Sequence, residues 1–187
     1  MRLLSALLFL GACAPRALPL HFATTPLGAV AADDPVAAPA APPQRMAVGM
    51  RTKETSIRFA LRTLSEMGTR MTPSMEQAKT GPALVEEARR NGVLVRSATA
   101  HQGDLVVFDN GYVVGVVSSV REDGTVEFLY AQHGTVRRGY VQPRWPTQKR
   151  DPQGRAWNTF VRPFAPTDPS DQRYLAGELL SGFIRTN

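Results

Sequence analysis

The hydrophobic pattern of this chain changes period at Val93, and that change limits the fold more than any other feature. Before it, Ile57, Ala60, Leu61, Leu64 and Met67 recur at helical spacing and Gly68 stands where a helix should stop, so a first helix is expected over 54–67. Ser74-Met75-Glu76-Gln77 after Thr72-Pro73 resembles a capping box, Gly81-Pro82 interrupts or restarts the segment, and Asn91-Gly92 ends it, which predicts a second, interrupted helix. After it, Val93–Val95, Leu105–Phe108, Tyr112–Val120, Val126–Tyr130, Val136–Val141 and Thr159–Val161 are β-branched or aromatic runs. Asp109-Asn110-Gly111, Glu122-Asp123-Gly124 and His133-Gly134 separate several of them at hairpin lengths. Helices first and an antiparallel meander afterwards make an α+β domain. Tyr174, Leu175, Leu179, Phe183 and Ile184 form one stripe, which predicts a short closing helix packed on the sheet.

The first 50 residues read differently. Arg2 precedes the apolar run Leu3–Leu10, too short to span a bilayer, which takes about 20 apolar residues, and so a targeting segment. Leu10-Gly11-Ala12-Cys13 resembles the bacterial lipobox. That resemblance implies cleavage after residue 12, acylation of the Cys13 thiol and, because Ala14 is not Asp, an outer-membrane lipoprotein facing the periplasm or the cell surface. The alternative is an ordinary secretory signal cut near Ala29–Ala32. From Ala14 to Pro43 there are ten Ala and seven Pro in thirty residues, the composition of an extended tether. The expected organisation is a signal peptide at 1–12, a lipidated cysteine with its tether at 13–50, and one domain at 51–187. Cys13 is the only cysteine, so this chain alone builds neither an internal disulfide nor a cysteine-rich metal centre.

Gly103-Asp104-Leu105-Val106-Val107-Phe108, Val113-Val114-Gly115-Val116-Val117 and Asp123-Gly124-Thr125-Val126-Glu127-Phe128 stand in an order and spacing that resembles the sheet of NlpC-like and CHAP domains. These are papain-like cell-wall amidases and peptidases. The likeness is strong over about 103–141 and implies a papain-like fold of N-terminal helices followed by the meander. In that family a cysteine thiolate at a helix start is activated by a histidine on the facing strand, which a third polar residue orients. Here the histidine position is Val113, no cysteine stands on either helix, and Gln132 or His133 falls at the third position. The resemblance therefore implies a domain without catalytic residues, whose old cleft, near Asn110, Tyr112, Tyr130 and His133, binds peptidoglycan or an envelope protein. The alternative is an active peptidoglycan hydrolase with Thr55, Ser56 or Ser74 as nucleophile and His101 or His133 as base.

The remaining chemistry is sparse. Of three histidines His21 lies in the tether, and no metal-ligand spacing accompanies His101 and His133, so no metal or other cofactor is expected. Asp104, Asp109, Glu122, Asp123 and Glu127 sit at strand ends and turns, where backbone chemistry accounts for the aspartates without catalysis. On the expected strand after Asp109-Asn110-Gly111, Val114 and Val116 should face the first helix, and Val113, Gly115 and Val117 the cleft side. The formal net charge is +6, and between Arg137 and Arg155 six basic residues face one acid, Asp151, with Tyr140, Trp145 and Trp157 among them. That mixture suits an anionic polymer or a solvated loop anchored by its tryptophans. For an exported protein nucleic acid is not the expected partner.

Overall fold

The computed structural model describes residues 48–96, 99–162 and 173–186. The targeting segment, Cys13 and most of the tether lie outside these residues. Helix α1 is Ser56–Glu66, capped by Thr55, whose side chain accepts from the Arg58 amide. Arg62 on its outer face pairs with Glu54 at 2.8 Å and with Glu66 at 2.7 Å, and Gly68, with φ of +71°, carries the chain out of it. The interrupted second helix is two helices, α2 (Pro73–Glu76) and α3 (Gly81–Arg90). Of the two expected roles for Gly81-Pro82, interruption or restart, the pair takes the second and begins α3. Thr80 is its cap, accepting from the Ala83 amide, and proline is tolerated in a first turn, where its missing N–H has no intrahelical partner.

The strands follow as β1 (Leu94–Val95), β2 (Leu105–Phe108), β3 (Val113–Val120), β4 (Val126–Gln132), β5 (Thr135–Val141) and β6 (Phe160–Val161). The tail departs from expectation. It forms β7 (Tyr174–Leu175), one turn of helix α4 (Ala176–Leu179) and then strand β8 (Leu180–Ile184). The main sheet is antiparallel, six-stranded and ordered β1-β8-β2-β3-β4-β5, and β6 pairs with β7 apart from it. The closing segment is thus a central strand, with Leu105 opposite Ile184 and Val106 opposite Phe183, not a helix lying on the sheet. Its stripe suits either period over so short a run, and the free edge of β2 decides for the strand, because buried backbone groups need ladder partners. Along the far edge, the Gly49 amide donates to Val136 O and the Val136 amide to Met50 O, both at 2.9 Å, so the packed chain begins ahead of Arg51.

The sheet is buried on both faces. One face carries Leu105, Val107, Val114, Val116 and Ile184 against Ile57, Ala60 and Leu64 of α1 and Leu84, Val85 and Ala88 of α3. Val114 and Val116 face the first helix, as alternation predicts. The other face carries Val106, Phe108, Val113, Val117, Phe128, Tyr130 and Phe183 under Val161 and Ala176, from β6 and α4. Val113 and Val117 were expected on the cleft side; both pack in this second core, Val113 only 3% exposed, and of the two only Val113 also borders the cavity at the helix starts. Val161 and Ala176 supply that cover, and both are remote in sequence from β2, β3 and β4.

Candidate functional site

The N-termini of α1 and α3 meet beside the start of β3 and the end of β4, and a cavity of about 590 Å³ lies between them. That volume is in the range of small-ligand sites. Two contacts hold the arrangement. The Val114 amide donates to Ser56 Oγ at 3.4 Å, tying the first residue of α1 to β3. The backbone of Gly81 lies against that of Gly111, so closely that a Cβ on Gly81 would stand 1.7 Å from the Gly111 carbonyl oxygen. Gly111 itself has φ of +102° and ends a 3-10 turn, Asp109–Gly111, in which Asp109 and Asn110 are also left-handed. Across the cavity, His133 and Gly134 take φ of +51° and +71°, the two left-handed positions of a tight β4–β5 hairpin.

Ser56, Val113, Gln132 and His133 all border this cavity. They are a helix-start residue and the positions that the NlpC/CHAP resemblance assigns to the histidine and the orienting group. Tyr112, 45% exposed, also borders it. The other two expected cleft residues do not. Tyr130 is in the second core beside Phe128, with ring centroids 5.3 Å apart, and burial raises its hydroxyl pKa. Asn110 borders a separate cavity with Glu178 and Ser181, and its amide donates to Ser181 Oγ at 2.8 Å. Sequence reasoning passed over Glu54, Lys79, Thr80, Gly81, Pro82 and Ala131, which also line the cleft. In the sequence the Gly81-Pro82 pair reads as a helix interruption or restart, with nothing that assigns it to a cleft.

The substitute catalytic residues separate. Ser74 is on α2, within 3.2 Å of Thr72 Oγ1, and the Thr55 hydroxyl is occupied in capping α1. His101 is at the opposite end of β2, where its ring meets Arg185 and its amide donates to Asp104 at 2.8 Å. Of the hydroxyls and imidazoles considered, Thr55, Ser56 and His133 share the cleft, and the Thr55 hydroxyl is taken up by the helix cap. The cleft's one carboxylate, Glu54, receives three hydrogen bonds from the Arg62 guanidinium, which hold its pKa below the usual value and make it a poor base. Among the described residues no three His, Cys, Asp or Glu side chains gather closely enough to hold a metal ion.

The turn carboxylates do structural work. Asp123 accepts from the Thr125 amide at 2.8 Å, and Asp151 receives the Arg155 amide and guanidinium. The basic stretch is internally tied in the same way. Trp145 stacks on Trp157 with centroids 6.0 Å apart, and Arg138 meets Glu127 at 3.2 Å. Asn158 there binds Trp145 O, Gln148 O and the Gln142 amide. No family model, curated protein or solved structure matches this chain.

Proposed function

We propose that this chain is an exported, lipid-anchored cell-envelope protein. Its papain-like, NlpC/CHAP-type domain lacks the family's cysteine and histidine and binds peptidoglycan, or a protein partner, in the cleft. The observation that carries the reading is the cavity itself. A helix start at Ser56, Val113 and the Gln132-His133 pair meet around one space of about 590 Å³, the arrangement the resemblance implies for nucleophile, base and orienter. With serine at the helix start and valine on the strand, what survives is a shaped groove. It has small and apolar walls at Ile57, Gly81, Pro82, Gly111 and Ala131, suited to a peptide.

The test is co-sedimentation of the purified chain with peptidoglycan sacculi. The wild type should pellet, and Ser56→Trp, which puts an indole into the cavity and gives up the hydrogen bond from the Val114 amide, should not, while its circular dichroism spectrum remains that of the folded wild type. No soluble muropeptide should be released. Failure of the wild type to pellet would refute peptidoglycan binding. A second reading, an active hydrolase, draws on Ser56 and His133 sharing the cavity, and release of muropeptides that stops in Ser56→Ala would establish it. For the anchor, the support is Leu10-Gly11-Ala12-Cys13. Labelled palmitate should enter the wild type and not Cys13→Ser.

A further inference from the structure

A second cavity, of about 410 Å³, adjoins the cleft and shares Gln132 and His133 with it. Among the described residues its charged side chains are all arginines, and three separate segments bring them there. Arg137 comes from β5, Arg162 directly follows β6 and Arg173 directly precedes β7. In the β6–β7 ladder Val161 is opposite Tyr174, so Arg162 and Arg173 flank the same end of it. Among the described residues no carboxylate lines this space and none of the three arginines has an ion pair. Arg62, Arg89, Arg90, Arg138, Arg155 and Arg185 all have one. Like charges around one cavity repel, and an anion placed among them removes that cost.

We propose that this arginine cavity is the carboxylate-binding subsite of the cleft: a peptide lying in the apolar groove runs past Gln132 and His133 and sets a free carboxylate among Arg137, Arg162 and Arg173. The inference rests on the peptide-binding reading above. The partition between the two spaces is fixed, because Gln132 Nε2 donates to Arg162 O at 2.8 Å and so ties the end of β4 to the arginine that follows β6. The planar guanidinium fork matches a carboxylate in two-point contact. The carboxylate already in the groove, Glu54, is taken up by Arg62 and does not compete for the cluster.

The experiment uses the full chain and a synthetic Ala–γ-Glu–diaminopimelate–Ala peptide, prepared with free carboxylates and with those groups amidated, and measures both affinities by calorimetry. The wild type should bind the free form about tenfold or more tightly than the amide, the scale of charge-assisted hydrogen bonds. Raising salt should erode that preference. The double variant Arg137→Gln, Arg162→Gln should bind both forms as the wild type binds the amide, which also shows that it is folded. Equal wild-type affinity for the two forms would overturn the subsite and leave the groove standing. Binding of neither would overturn both. Displacement of the free peptide by millimolar inorganic phosphate, with equal acetate having no effect, would make this a phosphate site and overturn the carboxylate assignment.

Discussion

Replacing Gly81 by Ala should destabilise the domain, although helix propensity alone predicts a gain of about 0.5–1 kcal/mol for losing a helical glycine. The added Cβ would stand 1.7 Å from Gly111 O and 2.7 Å from its carbonyl carbon, both backbone atoms that cannot rotate away. Relief requires α3 and the Asp109–Gly111 turn to separate by roughly 1.5 Å, since carbon and oxygen do not approach much closer than van der Waals contact. Leu84, Val85 and Ala88 of α3 are at most 3% exposed, so that retreat would loosen the contacts of all three. Overpacking typically costs about 1–3 kcal/mol, and the backbone origin of this clash puts the expected net loss near 3 kcal/mol. In a domain of this size that lowers Tm by roughly 6–12 °C. Circular dichroism melts and urea titrations of the purified chain measure it. Gly68→Ala is the control: its φ of +71° strains alanine, but nothing lies within 4 Å of the added carbon, so about 1 kcal/mol should be lost. Gly81→Ala melting at or above the wild type would refute the backbone-to-backbone packing that positions the cleft.

Val113→His should be at least as destabilising as Val114→Ala. The first buries an imidazole in the core beside Phe108, Phe128 and Tyr130, and the second removes bulk under α1; each should cost roughly 1–3 kcal/mol. A neutral Val113→His in thermal melts would refute the packing of this side chain in the second core. For pH, burial lifts the Asp104 pKa above its ordinary 3.8, against the pull of the His101 amide and of Arg185, 3.3 Å away. The folded state then holds that proton more tightly than the unfolded chain, so its contribution to stability is complete below 3.8 and is lost as pH climbs through the raised folded value. The stability of the wild type relative to Asp104→Asn should therefore fall from pH 3 to pH 7, and a flat difference across unfolding curves would contradict the burial argument.

What the sequence determined by itself is local. Thr55 and the spacing of Ile57, Ala60 and Leu64 specify α1, because a cap and a 3.6-residue stripe are properties of neighbouring residues. Asp109-Asn110-Gly111, Asp123-Gly124 and His133-Gly134 supply the left-handed positions that join β2 to β5 as a meander, and alternation then assigns Val114 and Val116 to the helix side. Tertiary structure decided whatever depended on distant partners. The closing segment became β8 because β2 had an unpaired edge some seventy-five residues upstream. Val113 entered a second core only because β6 and α4 fold over that face. The cleft required the start of α3 to pack at Gly81 against Gly111 beside the start of α1, and the arginine cavity required β5, β6 and β7 to converge. None of these contacts leaves a periodic or turn signature, since residues far apart in the chain come together only when the whole sheet has formed.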